Sequence, residues 1–248
     1  MTDLNAGIII IGDEILSGRT LDTNSNFLAK KLINSGIQLE EVKVIHDYEI
    51  EIIQSVKKFH KKYTYVFTTG GIGPTHDDIT SESISKAFNR KFCTHPEAYK
   101  ILENFYPKGE FNKGRQKMAM MPDNVELIPN PLTAAPGFII ENVFVLPGVP
   151  EILKKMIDYV FQNIKKGKPK TIITINTNLF ESAIANRLKV IQNKYTDCSI
   201  GSYPYFNYVE KTGGVNIVIS SWKLNNLDDV GDEVIKMISL LGGICSKI

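Results

Sequence analysis

Cysteine is scarce. Cys93, Cys198 and Cys245 are the three in 248 residues, and no Cys-x-x-Cys pairs them. That excludes a disulfide framework or a structural zinc site and fits a reducing compartment. An excess of one charge is also lacking: 29 Lys and Arg stand against 27 Asp and Glu, a net +2. Such a balance implies no strongly basic surface, so nucleic acid is not an expected partner. No apolar run approaches the roughly 18 residues that a bilayer span requires. The opening Met1-Thr-Asp-Leu-Asn lacks the charged and apolar regions of a signal peptide. These absences predict a soluble cytoplasmic protein without a membrane partner. No internal repeat or low-complexity stretch stands out. What is present is ordinary for a globular chain: 43% hydrophobic residues, enough for a sizeable core in one large or two modest domains.

The most informative stretch is Val66-Phe67-Thr68-Thr69-Gly70-Gly71-Ile72-Gly73-Pro74-Thr75-His76-Asp77-Asp78-Ile79-Thr80. Its start, with Tyr65, is short, apolar and partly β-branched, and reads as a buried strand. Three glycines and a proline break the strand. Asp78 precedes an apolar-periodic run (Ile79, Ile84, Ala87, Phe88) and is the expected helix N-cap. Strand, glycine loop and helix start together expose unpaired N–H groups and partial positive charge, a natural seat for phosphate. Adjacent carboxylates, Asp77 and Asp78, do not suit a bare anion; they suit a metal bridging to phosphate, or ligand hydroxyl and amide donors. The alternative is a tight turn with no ligand. The loop has neither the Walker A pattern nor the dinucleotide fingerprint.

The rest of the chain alternates strand and helix, which implies a mostly parallel sheet with helices on both faces. Ala6 to Ile11 is a continuous apolar run, expected in a strand buried on both sides. Gly12-Asp13-Glu14 follows its C-terminal end, the edge where open α/β sheets bind ligands. Asp22-Thr23-Asn24 opens a helix that Gly36 ends; Asn24 either caps it or reaches a ligand. Gln38 to Ile45 reads as a strand and Glu49 to Lys62 as an amphipathic helix with His60 on its solvated face. Ala87 to Phe105 reads as helix, broken near Asn89-Arg90 and Pro96. Asn112, Arg115, Gln116 and Lys117 form a polar cluster suited to an anion, or else a solvated helix face. Glu141-Asn142 is a hairpin turn candidate. Leu146-Pro147-Gly148-Val149-Pro150-Glu151 ends a strand and opens a helix, with Pro150 at its first position and Gly148 permitting close approach. Lys165 to Pro169 reads as a linker. It separates residues 1–166 from a small βαββα unit over 170–248.

Thr68 to Thr80 closely resembles the signature of the molybdopterin-binding fold of the MoaB, MogA, gephyrin and MoeA proteins. Gly-Gly-x-Gly-Pro-Thr-x-Asp-Asp resembles its CinA (competence/damage-inducible) branch. Asn112, Arg115, Gln116 and Pro122, Asn130 to Gly137, and Leu146 to Pro150 are similar to further CinA patterns. Here Thr133 and Ala134 stand where that family has Gly and Thr. The helix from Thr177 to Leu188 and Ser199 to Pro204 look like the KH-like region of CinA proteins, and a similar Ser-Tyr-Pro segment occurs in eukaryotic FAD synthases. Residues 151–248 hold no Gly-x-x-Gly loop, which a nucleic-acid KH module needs.

The resemblance implies a three-layer α/β fold of MogA/MoaB type with a small α+β KH-like domain. It also implies one of two activities. The first is divalent-metal-dependent hydrolysis of ADP-ribose- or FAD-like pyrophosphates; the second is non-hydrolytic binding of molybdopterin or another pterin phosphate, linked to molybdenum cofactor biosynthesis. For the first, Asp77 and Asp78 are the expected metal ligands and, with Arg115, the catalytic residues. The expected ligand contacts are Gly12, Asp13, Glu14, Asn24, Thr69, Gly70, Gly71, Gly73, Pro74, Thr75, Thr80, Lys117, Pro147 and Gly148. His76 sits beside the acids at a variable position of the motif. CinA proteins add a C-terminal nicotinamide-nucleotide amidase domain; with the chain ending at Ile248, that activity is expected to be absent. Self-association, most simply as a dimer, is expected from the family.

Overall fold

The structure is a computed structural model that describes residues 4–209 and 212–248. Met1, Thr2 and Asp3, read above for a signal peptide, lie outside the described residues. By its contacts the chain divides into two units, Met1–Gly167 and Lys168–Ile248.

The first unit runs β1 (Asn5–Ile11), α1 (Asp13–Leu16), α2 (Asn24–Asn34), β2 (Gln38–Ile45), α3 (Glu49–Lys62), β3 (Tyr65–Thr69), α4 (Thr80–Ala87), β4 (Phe92–Thr94), α5 (Pro96–Phe105), α6 (Lys113–Lys117), β5 (Met120–Pro122), β6 (Glu126–Ile128), β7 (Gly137–Ile140), β8 (Val143–Leu146) and α7 (Pro150–Asn163). Six strands form one sheet in the order β2-β1-β3-β8-β7-β6. β2, β1, β3 and β8 are parallel, and β7 pairs antiparallel with both β8 and β6. The period-2 pleat sends alternate residues of β1 to opposite faces. Ile9 and Ile11 join Ile52, Val56 and Phe59 of α3 and Ile84 of α4. Ala6, Ile8 and Ile10 join Leu28 and Leu32 of α2 and Leu153, Met156 and Val160 of α7. The uninterrupted isoleucine run follows from this burial on two sides, each such side chain contributing about 1.5–3 kcal/mol.

Several expectations are corrected. Asp78 does not cap α4: the residue before the helix is Ile79, with no side-chain cap bond. Asp78 Oδ2 instead accepts hydrogen bonds from Thr75 N at 2.8 Å and Thr75 Oγ1 at 2.5 Å. The segment read as broken helix from Ala87 contains β4, which pairs antiparallel with β5; Asn89 turns the chain with φ 52°. His60 is not merely solvated. Its ring lies 2.5 Å from Asn142 Oδ1 and 3.2 Å from Glu141, tying α3 to the β7–β8 turn.

The second unit comprises β9 (Thr171–Thr177), α8 (Glu181–Lys194), β10 (Ser199–Asn207), β11 (Thr212–Ser221), α9 (Asp228–Leu240) and β12 (Cys245–Lys247). Its sheet, ordered β10-β11-β9-β12, is antiparallel throughout. Ile175, Val215, Ile217 and Ile219 meet Ile184, Leu188, Val234 and Ile238 of the two helices in its core. β12 was not expected from the sequence; with three residues it is too short to show a period.

Candidate active site

Strand order decides where a site can form. From β1 the chain crosses to β2 on one side, then returns past β1 to β3 on the other. The connections therefore part between β1 and β3, leaving a crevice outside their carboxyl ends. The loops after β1, β2, β3, β6 and β8 line a cleft of about 520 Å³, with Gly12, Glu14, Asp47, Gly71, Gly73, Pro74, Asp77, Asp78, Asn130, Thr133, Pro147 and Gly148 in its wall. That volume suits a small-molecule ligand.

Glycine is required where these loops meet. A Cβ on Gly70 (φ 106°) would stand 2.0 Å from the Ile11 carbonyl oxygen, and one on Gly71 (φ 67°) 2.1 Å from Thr80 Oγ1. Gly70 N donates to Leu146 O at 3.1 Å, so this amide joins β3 to β8 and is not available to a ligand. The amides of Gly71, Ile72 and Gly73 donate to no protein atom among the described residues. Unpartnered backbone amides of this kind have the chemistry to receive an anion.

Glu14, Asp47, Asp77 and Asp78 line the same cleft as these donors, and Asp13, expected there too, is not among its lining residues. Asp13 N donates to Asp47 Oδ2 at 3.0 Å, and Asp13 Oδ1 lies 2.7 Å from His46 Nδ1. Burial pushes the Asp47 carboxyl above its usual range against the pull of the Asp13 N–H, and the nearby charges of Asp13, Glu14 and Asp77 push it further. Asp77 is held below its usual range, first by the Thr75 hydroxyl and then by its own backbone N–H. Among the described residues, no group of three or more His, Cys, Asp or Glu side chains is placed to hold a metal ion by itself. The donor set is nonetheless hard, all carboxylate oxygen, the chemistry that a divalent cation would take.

Other expected contacts lie elsewhere. Arg115 does not line the cleft: Nη1 donates to Glu110 O and Oε2, and its guanidinium lies 4.0 Å from the Tyr106 ring centre. Lys117 Nζ donates to Thr75 O, bracing the glycine loop from α6. Asn24 is buried and its Nδ2 donates to Gly148 O at 2.8 Å, so it holds the β8 loop instead of facing a ligand; Asp22 Oδ1 caps the helix by accepting from Asn24 N and Ser25 N. The hydroxyls of Thr69 and Thr80 are buried without a partner beneath the loop. His76 is almost fully exposed. Asp47 was missed by the sequence reading. The signal available was its position, immediately beyond the carboxyl end of a parallel strand.

The comparisons agree with this architecture. Residues 7–166 match the family described as "Probable molybdopterin binding domain", and residues 171–241 match "FAD synthase, middle domain". A protein of Archaeoglobus fulgidus is 37% identical over 202 residues, covering 82% of this chain and 86% of its own length. A Clostridium tetani protein, named as a competence-damage inducible protein, is 33% identical over 216 residues. This chain spans 53% of that relative's length. The crystal structure of the protein CinA with unknown function from Thermoplasma acidophilum shares 31% identity at a TM-score of 0.61, covering 64% of this chain and 96% of the other. Matched over residues 7–166 and similar in sequence and structure to CinA proteins, the chain belongs to the molybdopterin-binding domain family in its CinA-like form.

Proposed function

We propose that the chain is a divalent-metal-dependent pyrophosphatase acting on a nucleotide diphosphate compound of the ADP-ribose or FAD type. The observation that carries this reading is the juxtaposition of unpartnered amides at Gly71–Gly73 with the carboxylates of Asp47, Asp77 and Asp78 in one cleft. Amides alone suit an anion; amides beside carboxylates suit an anion that arrives with a cation. Asp77 and Asp78 would hold that cation, which when bound screens phosphate charge and lowers the pKa of water. The Gly71–Gly73 amides orient the diphosphate. Asp47, its carboxyl raised by burial, is suited to take the proton of the attacking water. Water adds to one phosphorus, the P–O–P bond breaks, and two monophosphates leave. Lys117 donates to Thr75 O on the glycine loop while Arg115 is held by Glu110, so Lys117 is the cation we assign to the developing charge. The match of residues 171–241 to a domain of FAD synthase puts FAD beside ADP-ribose among the substrates to test.

The test is turnover of ADP-ribose and FAD with and without Mg²⁺ or Mn²⁺, in wild type, Asp77→Asn and Asp78→Ala. Asp77→Asn is the cleaner variant, because Asp78 also closes the loop through Thr75. Metal-dependent cleavage that falls roughly a hundredfold or more in Asp77→Asn supports the reading. Binding of a pterin phosphate with no cleavage of either dinucleotide favours the second reading, a non-hydrolytic molybdopterin binder. Thr133 and Ala134, standing where the CinA pattern has Gly and Thr, favour that alternative.

A further inference from the structure

Part of the cleft's lining is chemically unlike the glycine loop: Met118, Ala135, Pro136, Val149 and Ile152 are apolar, and Asn130 and Thr133 are polar residues of the loop that carries Ala135 and Pro136. Asn130 is 8% exposed, and its side-chain amide is fully engaged. Oδ1 accepts from Leu132 N at 3.0 Å and Thr133 N at 3.2 Å; Nδ2 donates to Ala135 O at 2.9 Å and Thr133 Oγ1 at 2.6 Å. Two backbone donors on one side and a carbonyl on the other leave the amide a single orientation. Nδ2 must therefore donate to Thr133 Oγ1, and the hydroxyl must accept. An accepting hydroxyl keeps its own proton to give. No acceptor for that proton stands among the described residues, and Thr133 faces the cleft. Holding this loop places Ala134 at φ 61°, a conformation unfavourable for a residue with a Cβ.

We infer that Thr133, oriented by Asn130, is the specificity donor of an apolar subsite that takes the flat heteroaromatic end of the ligand, hydrogen-bonding a carbonyl oxygen or ring nitrogen at its edge. The inference rests on the pyrophosphatase reading for what the glycine loop holds. It assigns two loops of the cleft different work: the Gly71–Gly73 amides and the acids bind the diphosphate, and Thr133 reads the ring. Apolar walls with one fixed donor accept a planar ring and discriminate by its edge, because a buried donor left unpaired is costly. Thr133 acts by touching the ligand; Asn130 is a positioning residue.

The experiment measures Kd for FAD, ADP-ribose and inorganic pyrophosphate, each with Mg²⁺, in wild type, Thr133→Val and Thr133→Ser. Thr133→Val keeps the shape and removes the hydroxyl; Thr133→Ser keeps the hydroxyl. Weakening of FAD or ADP-ribose by about three- to tenfold in Thr133→Val, unchanged pyrophosphate affinity and recovery in Thr133→Ser are expected. Unchanged affinity for both ring-bearing ligands in Thr133→Val overturns the inference. Equal loss for pyrophosphate also overturns it, since Thr133 would then serve the phosphates or the loop. A melting temperature for each variant separates loss of contact from loss of fold. Wild-type protein that binds none of the three probes sinks the pyrophosphatase reading first, and the inference with it.

Discussion

Asp47 sits where it is costly. Its folded-state carboxyl is raised by burial and by the charges of Asp13, Glu14 and Asp77. Ionised Asp47 therefore works against folding. The favourable contribution of the protonated form is fully present below the unfolded carboxyl value and is lost as pH rises through the folded one. Asp47→Asn retains an acceptor for Asp13 N and removes the charge. We expect the variant to be more stable than wild type at pH 7 while turnover falls, with the stability gain vanishing as pH drops below about 4. Thermal melts across pH 3–8 check this; a variant less stable than wild type at pH 7 contradicts it. Ala134 offers the complementary case. At φ 61° it carries a left-handed penalty of about 1–2 kcal/mol, offset in part by the entropy glycine would lose. Ala134→Gly should stabilise the protein by about 0.5–1 kcal/mol in denaturant titration.

At the scale of elements, the sheet is fastened at both ends of its strands. At the carboxyl end, Gly70 lets β3 pass beneath the carbonyl of Ile11. Gly70→Ala should cost about 3 kcal/mol or more, from steric overlap and an unfavourable φ together. Urea denaturation would read this, and a loss under 1 kcal/mol would mean that β1 and β3 can separate at little cost. On β2, Glu41 accepts from Tyr63 Oη at 2.5 Å and Lys62 Nζ at 2.9 Å, joining that strand to the end of α3. The Tyr63 hydroxyl first, then Lys62, pulls the Glu41 carboxyl down to about 2. A depressed carboxyl contributes stability above its unfolded value of about 4.5, lost as pH falls towards 2. Tyr63→Phe should lower stability by a constant amount above about pH 5 and flatten the acid limb between about 4.5 and 2, as read by thermal melts across that range.

For the whole molecule, ligand and metal should act together on stability. The cleft draws on loops from β1, β2, β3, β6 and β8, so a bound ligand joins segments that are distant in sequence. At a hundredfold excess over Kd, binding contributes about 2.7 kcal/mol. ADP-ribose with Mg²⁺ should raise the melting temperature of wild type clearly more than either added alone, and Asp77→Asn should lose the synergy. No helix among the described residues is long and apolar enough to cross a membrane.

Local chemistry was legible where one segment supplied all of its own information. The buried run Ile8–Ile11, the break at Gly70-Gly71, Pro150 at the first turn of α7 and the Glu141 turn are all set by side-chain type, backbone conformation or periodicity within a few residues. The motif acids Asp77 and Asp78 could be named from sequence for the same reason, and both line the cleft. What the sequence by itself could not determine is which partner takes each polar group. Asp78 was available both to cap α4 and to close on Thr75, and the tight turn decided for Thr75. Arg115 had the right chemistry for phosphate, but Glu110 and Tyr106 hold it on α6. Asp47 carries no local sign beyond its place after a strand; burial and the acids Asp13, Glu14 and Asp77 from other loops make it distinctive. Sequence sets propensities and periodic faces, which are properties of neighbours along the chain. Strand order brings the ends of β1, β2, β3, β6 and β8 together, and only that long-range packing decides which carboxylates are desolvated and which amides are left to bind an anion.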